Sequence, residues 1–184
     1  MNIFYFDDCP TKCARAQPDK MLLKMPLETA QMLCTAHREL DGDRWADKVG
    51  LYKRAYWNHP CTIWARESDR NYFWLYEHFL ALGDEYTYRY GKVHASVAKL
   101  GRWLEVMPTN IPITEDKTPI AQAMPDQYKR KHDPIYAYRT YVINEKHYAK
   151  WEKGRDKPEW WVEEAQAIDD YYMSLEDEEK LCHQ

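Results

Sequence analysis

The stretch NHPCTIWARESDRNYFWLYEHFLALGDEYTYRYG, residues 58–91, decides the fold class. It holds two helix starts and one helix stop. Asn58 or His59 can cap a helix, and Pro60 suits a first helical position because its φ is already helical and its missing N–H is not needed there. A short helix from Pro60 to about Arg66 is predicted. Ser68 then caps a longer one. Tyr72, Leu75, Tyr76, Phe79, Leu82 and Tyr86 recur at the spacing of one buried helix face, and Gly91 is a suitable left-handed stop.

Working outward from there, Leu27, Ala30, Leu33, Cys34, His37 and Leu40 repeat the same spacing, and Asp41-Gly42-Asp43 ends that helix. Pro26 either kinks it near Leu22 or marks its true start. Asp8 followed by Pro10 predicts a helix over 9–16, and Pro18-Asp19 restarts one. Ile3 to Phe6 is β-prone, but no clear partner strand exists. Residues 93–104 read as a helix. Five prolines mark 105–134 as a long irregular connection. Ile135, Tyr138, Val142 and His147 to Trp151 give a further helix, and Trp161, Ala165, Ile168, Tyr172 and Leu175 the last. The expected fold is all-α: a compact single domain of about six or seven helices. Residues 1–158 form its helical core, and residues 159–184 an acidic helix packed on it, fraying beyond Leu175.

Composition supports a folded core. Aromatic residues make up 15% of the 184 residues, and disordered chains are poor in them. No apolar run approaches the ~20 residues of a membrane span. The start Met1-Asn2-Ile3-Phe4-Tyr5-Phe6-Asp7-Asp8 lacks the basic region of a signal peptide. Cysteines 9, 13, 34, 61 and 182 form no CxxC pair, as expected for reduced thiols in a cytoplasm. The seven histidines form no i,i+4 pair, so neither a metal nor a cofactor is expected.

The net charge of −4 conceals an asymmetry. Residues 159–184 hold nine acids and one base, a net −8, which leaves 25 bases and 21 acids, a net +4, for the body. The body is therefore compatible with a phosphate-bearing partner, while the acidic end is either a solvated surface or a mask over a basic groove.

Three clusters carry candidate chemistry. In Asp19-Lys20-Met21-Leu22-Leu23-Lys24-Met25-Pro26-Leu27-Glu28, Lys20 and Lys24 share a helix face and Lys24 can meet Glu28. This is a surface ladder, or a carboxylate poised beside phosphate-binding lysines. In the 58–71 stretch, Asn58, His59, Arg66 and Asn71 surround two helix starts whose free N–H groups attract phosphate. Lys24, His59 and Arg66 are expected to hold one anion. In Tyr136-Ala137-Tyr138-Arg139-Thr140-Tyr141, rings alternate with a cation, as a stacked base and its phosphate require, or as a core helix with solvated cations would.

These clusters, in this order, resemble the pyrimidine-dimer DNA glycosylases of the phage endonuclease V type. Asp19, Met21 and Glu28 reproduce the spacing of that family's Asp-x-His and catalytic Glu, with Met21 at the His place. His59 is similar to a family His opening the second helical unit, and Tyr136 to Tyr141 is similar to the family's aromatic stretch near DNA. The Met-Asn-Ile-Phe start and NHPCTIWARES resemble uncharacterised phage proteins. The resemblance implies a compact helical fold with the N-terminus in a cleft between the 18–40 helix and the 58–91 helices. It implies that the α-amine, here of Met1, attacks a sugar C1′ to form an imine. α-Amines titrate near ~8 and are partly nucleophilic at neutral pH. Glu28 would stabilise the sugar cation and handle protons.

Asn2 is not the small residue before which Met is removed, so Met1 stays. The leading reading is therefore a DNA glycosylase/AP-lyase-type protein acting on a base–sugar–phosphate unit. Catalytic roles fall to Glu28 and Met1, and binding roles to Lys20, Lys24, Asn58, His59, Arg66, Asn71, Tyr138 and Arg139. The alternatives are a non-catalytic phage nucleotide-binding protein using the same cleft, and a helical partner-docking protein. The expected partner is nucleic acid or a nucleotide, with no membrane, a homo-oligomer being compatible. The expected location is the cytoplasm, that of the host if phage-encoded.

Overall fold

Proline and small polar caps set the helix boundaries along this chain, and a computed structural model describes residues 1–163. Pro10 opens α1 (Pro10–Arg15), and the one-turn α2 follows (Asp19–Leu22). Pro26 lies in the first turn of α3 (Met25–Leu40), so it marks a start and not a kink. His59 caps α5 (Pro60–Glu67), Ser68 caps α6 (Asp69–Tyr90) and His94 caps α7 (Ala95–Leu104). Asp133 caps α8 (Pro134–Glu145).

Three expectations need correction. The helix α4 (Asp43–Val49) was not expected, because Asp41-Gly42-Asp43 reads as a plain stop. Gly42 does break the chain, with φ +80°, but Asp43 at once begins a new helix, which Gly50 ends at φ +76°. The 135–151 helix stops at Glu145, and residues 146–158 have no helix. The 93–104 helix starts at Ala95, because His94 is its cap. Ile3 to Phe6, β-prone but without a partner strand, is an irregular buried segment, and no residue among the described ones is in a sheet.

The central element is α6, about 33 Å long at ~1.5 Å per residue, and it packs against α1, α3, α5 and α7. Its crossing with α7 is close at Gly83, where an added Cβ would lie 2.7 Å from Val97 Cγ2. Phe79, Leu82, Leu75 and Tyr72 belong with Met32, Leu33, Leu100 and Leu104 to one continuous core. The long 105–134 segment is irregular except for one 3-10 turn (Asp126–Tyr128). It is fastened by side chains from the helices: Asp41 accepts the N–H groups of Thr109 and Asn110, and Asp69 that of Thr114. The acidic end lies outside the described residues beyond 163. Its first turn packs on the body, with Trp160 against Phe6 and Trp161 against Trp151. No described helix is long and apolar enough to cross a membrane.

Candidate active site

The first six residues carry the site. Ile3 and Phe6 are fully buried and anchor an irregular segment. Asn2 then fixes its end. Asn2 Nδ2 donates to the Ala123 carbonyl at 2.8 Å, and Oδ1 accepts the N–H groups of Ile3 at 2.8 Å and Phe4 at 3.2 Å. The side chain of Met1 is also buried, and its sulfur accepts the Thr62 hydroxyl at 3.3 Å. The first turn of α5 and the 121–123 segment thus grip both residues.

This grip presents the α-amine to Glu28. The Met1 nitrogen lies 3.7 Å from Glu28 Oε2, and the same oxygen accepts the Asn2 N–H at 3.0 Å. Lys24 Nζ is 3.6 Å from Oε1. Glu28 sits in the first turn of α3, where the helix N-terminus favours an anion. A carboxylate therefore meets an amine, a lysine and a helix start at one point, where α3 and α5 pack together.

His59 belongs to this environment. Its Nδ1 accepts the Cys61 N–H at 3.2 Å, so Nδ1 is bare and Nε2 carries the proton. Burial lowers its pKa and the positive charge of the α-amine lowers it further, while Glu28 pulls the other way. His59 is thus a neutral donor at pH 7. Cys61, next in the turn, has its thiol pushed up to about 11, chiefly by burial, and is no nucleophile at neutral pH. The chemistry available here is that of an amine nucleophile with a carboxylate as proton handler and cation stabiliser.

A family model described as pyrimidine dimer DNA glycosylase matches residues 1–98. The chain belongs to this family. Membership makes it a protein of DNA glycosylase type, with nucleic acid as the implied partner. Neither a curated protein nor a solved structure matches it. The matched span contains the α-amine, Lys24, Glu28 and His59, the groups the fold brings together, and excludes α8.

Several candidate binding residues have other positions. Lys20 is exposed, its ammonium 5.6 Å from the centre of the Tyr148 ring. Asn58 is exposed in a turn, and the cap is His59. Arg66 Nη1 donates to the carbonyls of Trp57 at 2.8 Å and Thr62 at 3.1 Å, so it is engaged with the chain before and within α5. Arg139 donates to the Phe6 carbonyl and lies over Trp160. It lines a cavity of about 280 Å³ with Lys12, Arg15 and Arg155.

Two candidates are corrected outright. Tyr138 is fully buried and cannot stack on a base; its hydroxyl donates to the Ala121 carbonyl at 2.7 Å and accepts the Ala123 N–H at 3.2 Å. It holds the segment that grips Asn2. Asn71 is also fully buried. Its Nδ2 donates to the Trp64 carbonyl at 2.8 Å and to Thr118 Oγ1 at 2.7 Å, and its Oδ1 accepts the Thr118 N–H at 2.9 Å. It ties the irregular segment to α5 and α6. Asn71→Ala should cost about 2 kcal/mol in chemical denaturation, because buried partners lose their hydrogen bonds. An unchanged unfolding midpoint would show that water replaces the amide at no cost.

Sequence reasoning missed Asn2 as a structural residue. The available signal was a lone amide inside the apolar run Met-Asn-Ile-Phe-Tyr-Phe. A polar side chain that is buried with such neighbours must find partners in the fold.

Proposed function

We propose that this protein is a DNA glycosylase with lyase chemistry, using the Met1 α-amine as nucleophile and Glu28 as its acid–base partner. The α-amine held 3.7 Å from a carboxylate that also accepts the Asn2 N–H carries the reading. In the reaction, the amine lone pair forms a bond to the sugar C1′. The glycosidic bond breaks, and the base leaves with the bonding electrons and gains a proton. The sugar ring then opens as its oxygen is protonated, giving an imine. Glu28 opposes the positive charge that develops on the sugar and moves the protons. Lys24 and Lys20, on the approach to α3, suit the flanking phosphates. His59 Nε2 suits a sugar or phosphate oxygen. The substrate class follows the family: a pyrimidine dimer in duplex DNA.

The test is reductive trapping. Incubation with dimer-containing or abasic duplex DNA and sodium borohydride should give a covalent protein–DNA adduct. Peptide mass spectrometry should place the adduct on the Met1 α-nitrogen. An adduct on a lysine, or none on either DNA, would remove the amine mechanism.

A further inference from the structure

Residues 56–59 form a tight turn, in which the His59 N–H donates to the Tyr56 carbonyl at 2.8 Å. Two adjacent large rings stand on it in water: Tyr56 is 70% exposed and Trp57 52%. Tyr56 has φ +46°, in the left-handed region that a tyrosine seldom enters. Such a conformation persists only where the surroundings hold it, and it concentrates at working sites. Here the restraints are visible. Arg66 holds the Trp57 carbonyl from α5, and the Ala55 N–H donates to Thr35 Oγ1 on α3 at 3.1 Å. Both ends of the turn are fastened, yet its rings are directed outward.

The turn closes on the candidate active site. Its fourth residue, His59, caps α5, and Thr62 in the first turn of α5 donates its hydroxyl to the Met1 sulfur at 3.3 Å. First and fourth residues of such a turn lie within ~7 Å between Cα atoms. The turn therefore leads into the helix start that grips Met1, on a frame shared with α3 and α5.

We propose that Tyr56 and Trp57 form a nucleobase-stacking site, which takes the bases next to the attacked nucleotide and holds the duplex open there. The proposal rests on the glycosylase reading above. An amine can reach a sugar C1′ only if the local stack is broken, and breaking it has a cost. An aromatic face offsets that cost for any base, because every base has a π-surface. A fastened turn suits this role because its rings do not have to be ordered on binding. Arg66 then holds the turn in place from behind.

The experiment uses the full chain and two duplexes: one intact, one with a tetrahydrofuran abasic analogue flanked by 2-aminopurine. The analogue supports no imine, so binding is read apart from chemistry. The protein should bind the abasic duplex more tightly than the intact one and quench the 2-aminopurine. Tyr56→Ala combined with Trp57→Ala should weaken binding to the abasic duplex about tenfold or more and lose the quenching. Tyr56→Phe combined with Trp57→Phe should restore both, because the rings remain. An alanine variant that binds and quenches like the parent overturns the stacking site and leaves the amine chemistry standing. A parent with neither abasic preference nor a borohydride adduct overturns the glycosylase reading and this site with it. Lost self-association with unchanged DNA affinity in the alanine variant would assign the rings to a contact between copies, against the proposal.

Discussion

Glu28→Gln should reduce borohydride-trapped adduct and base release by at least about 100-fold, the scale of losing a positioned proton-transfer group, and leave the melting temperature within a few degrees. The two outcomes separate because Glu28 has two kinds of neighbour. Glutamine keeps the size of the side chain and an oxygen that can accept the Asn2 N–H, now 3.0 Å away. It loses the negative charge that faces the α-amine and any developing charge on the sugar, and it cannot take up a proton. The stability of the fold depends little on that charge. The Lys24 partner is 54% exposed, and exposed ion pairs contribute little. Full activity in Glu28→Gln would make the carboxylate a surface residue of α3. A large fall in melting temperature would instead make it part of the N-terminal anchor.

The helical frame around this carboxylate was legible in the sequence for physical reasons. α5 and α6 announce themselves through Pro60, Ser68, Gly91 and an apolar face repeated over about four turns from Tyr72 to Tyr86, all local signals. Glu28 and Lys24 are four apart, so their meeting follows from helix geometry alone. The pairing of Met1 with Glu28 came only from the family resemblance. Nothing local in residues 1–6 shows that Asn2 will be held by Ala123, more than a hundred residues away. Tyr138 and Asn71 were misjudged for the same reason. Ring–cation alternation and an amide near a helix start look the same in sequence whether the side chain faces water or the core. Their long-range partners, Ala121 and Thr118, decide the matter. α4 was missed because one glycine at positive φ reads as an end, although it equally permits a sharp restart.

The same limit applies to Arg89, which looks like an ordinary basic residue in the last turn of α6 and is in fact completely buried. Its Nε donates to Glu85 at 2.7 Å, and its Nη1 to Asp19 at 2.9 Å and the Gln17 carbonyl at 2.8 Å. Its Nη2 donates to the Arg15 carbonyl at 2.8 Å. Arg155 grips Glu85 from the other side, and Asp19 also accepts the Glu152 N–H at 2.7 Å. One guanidinium thus joins α6 to the link between α1 and α2 and, through its acids, to the 150–155 segment. Asp19, whose spacing to Glu28 matches the family pattern, therefore supports the start of the α2–α3 run. Arg89→Met should destabilise the protein by about 3–5 kcal/mol, because it leaves buried acids and carbonyls without their cation. The melting temperature should fall on the order of 10 °C at pH 7.

The pH dependence identifies the cause. Burial alone would raise the pKa of Glu85, but hydrogen bonds from Arg155 and Arg89 outweigh it and hold the group below its ordinary 4.5. A carboxyl group depressed in the folded state contributes stability that is fully present above its unfolded pKa. That contribution is lost as the pH falls through the lower folded value. In Arg89→Met one of the two donors is gone and burial remains, so the Glu85 pKa rises and less is left to lose in acid. The gap between parent and variant should therefore be widest at neutral pH and narrow below pH 4.5. Thermal melts at pH 7 and in acid would check this. A gap of equal size at both would mean that Arg89 acts by filling space between α6 and α1. Equal melting temperatures at pH 7 would remove the buried network as a source of stability.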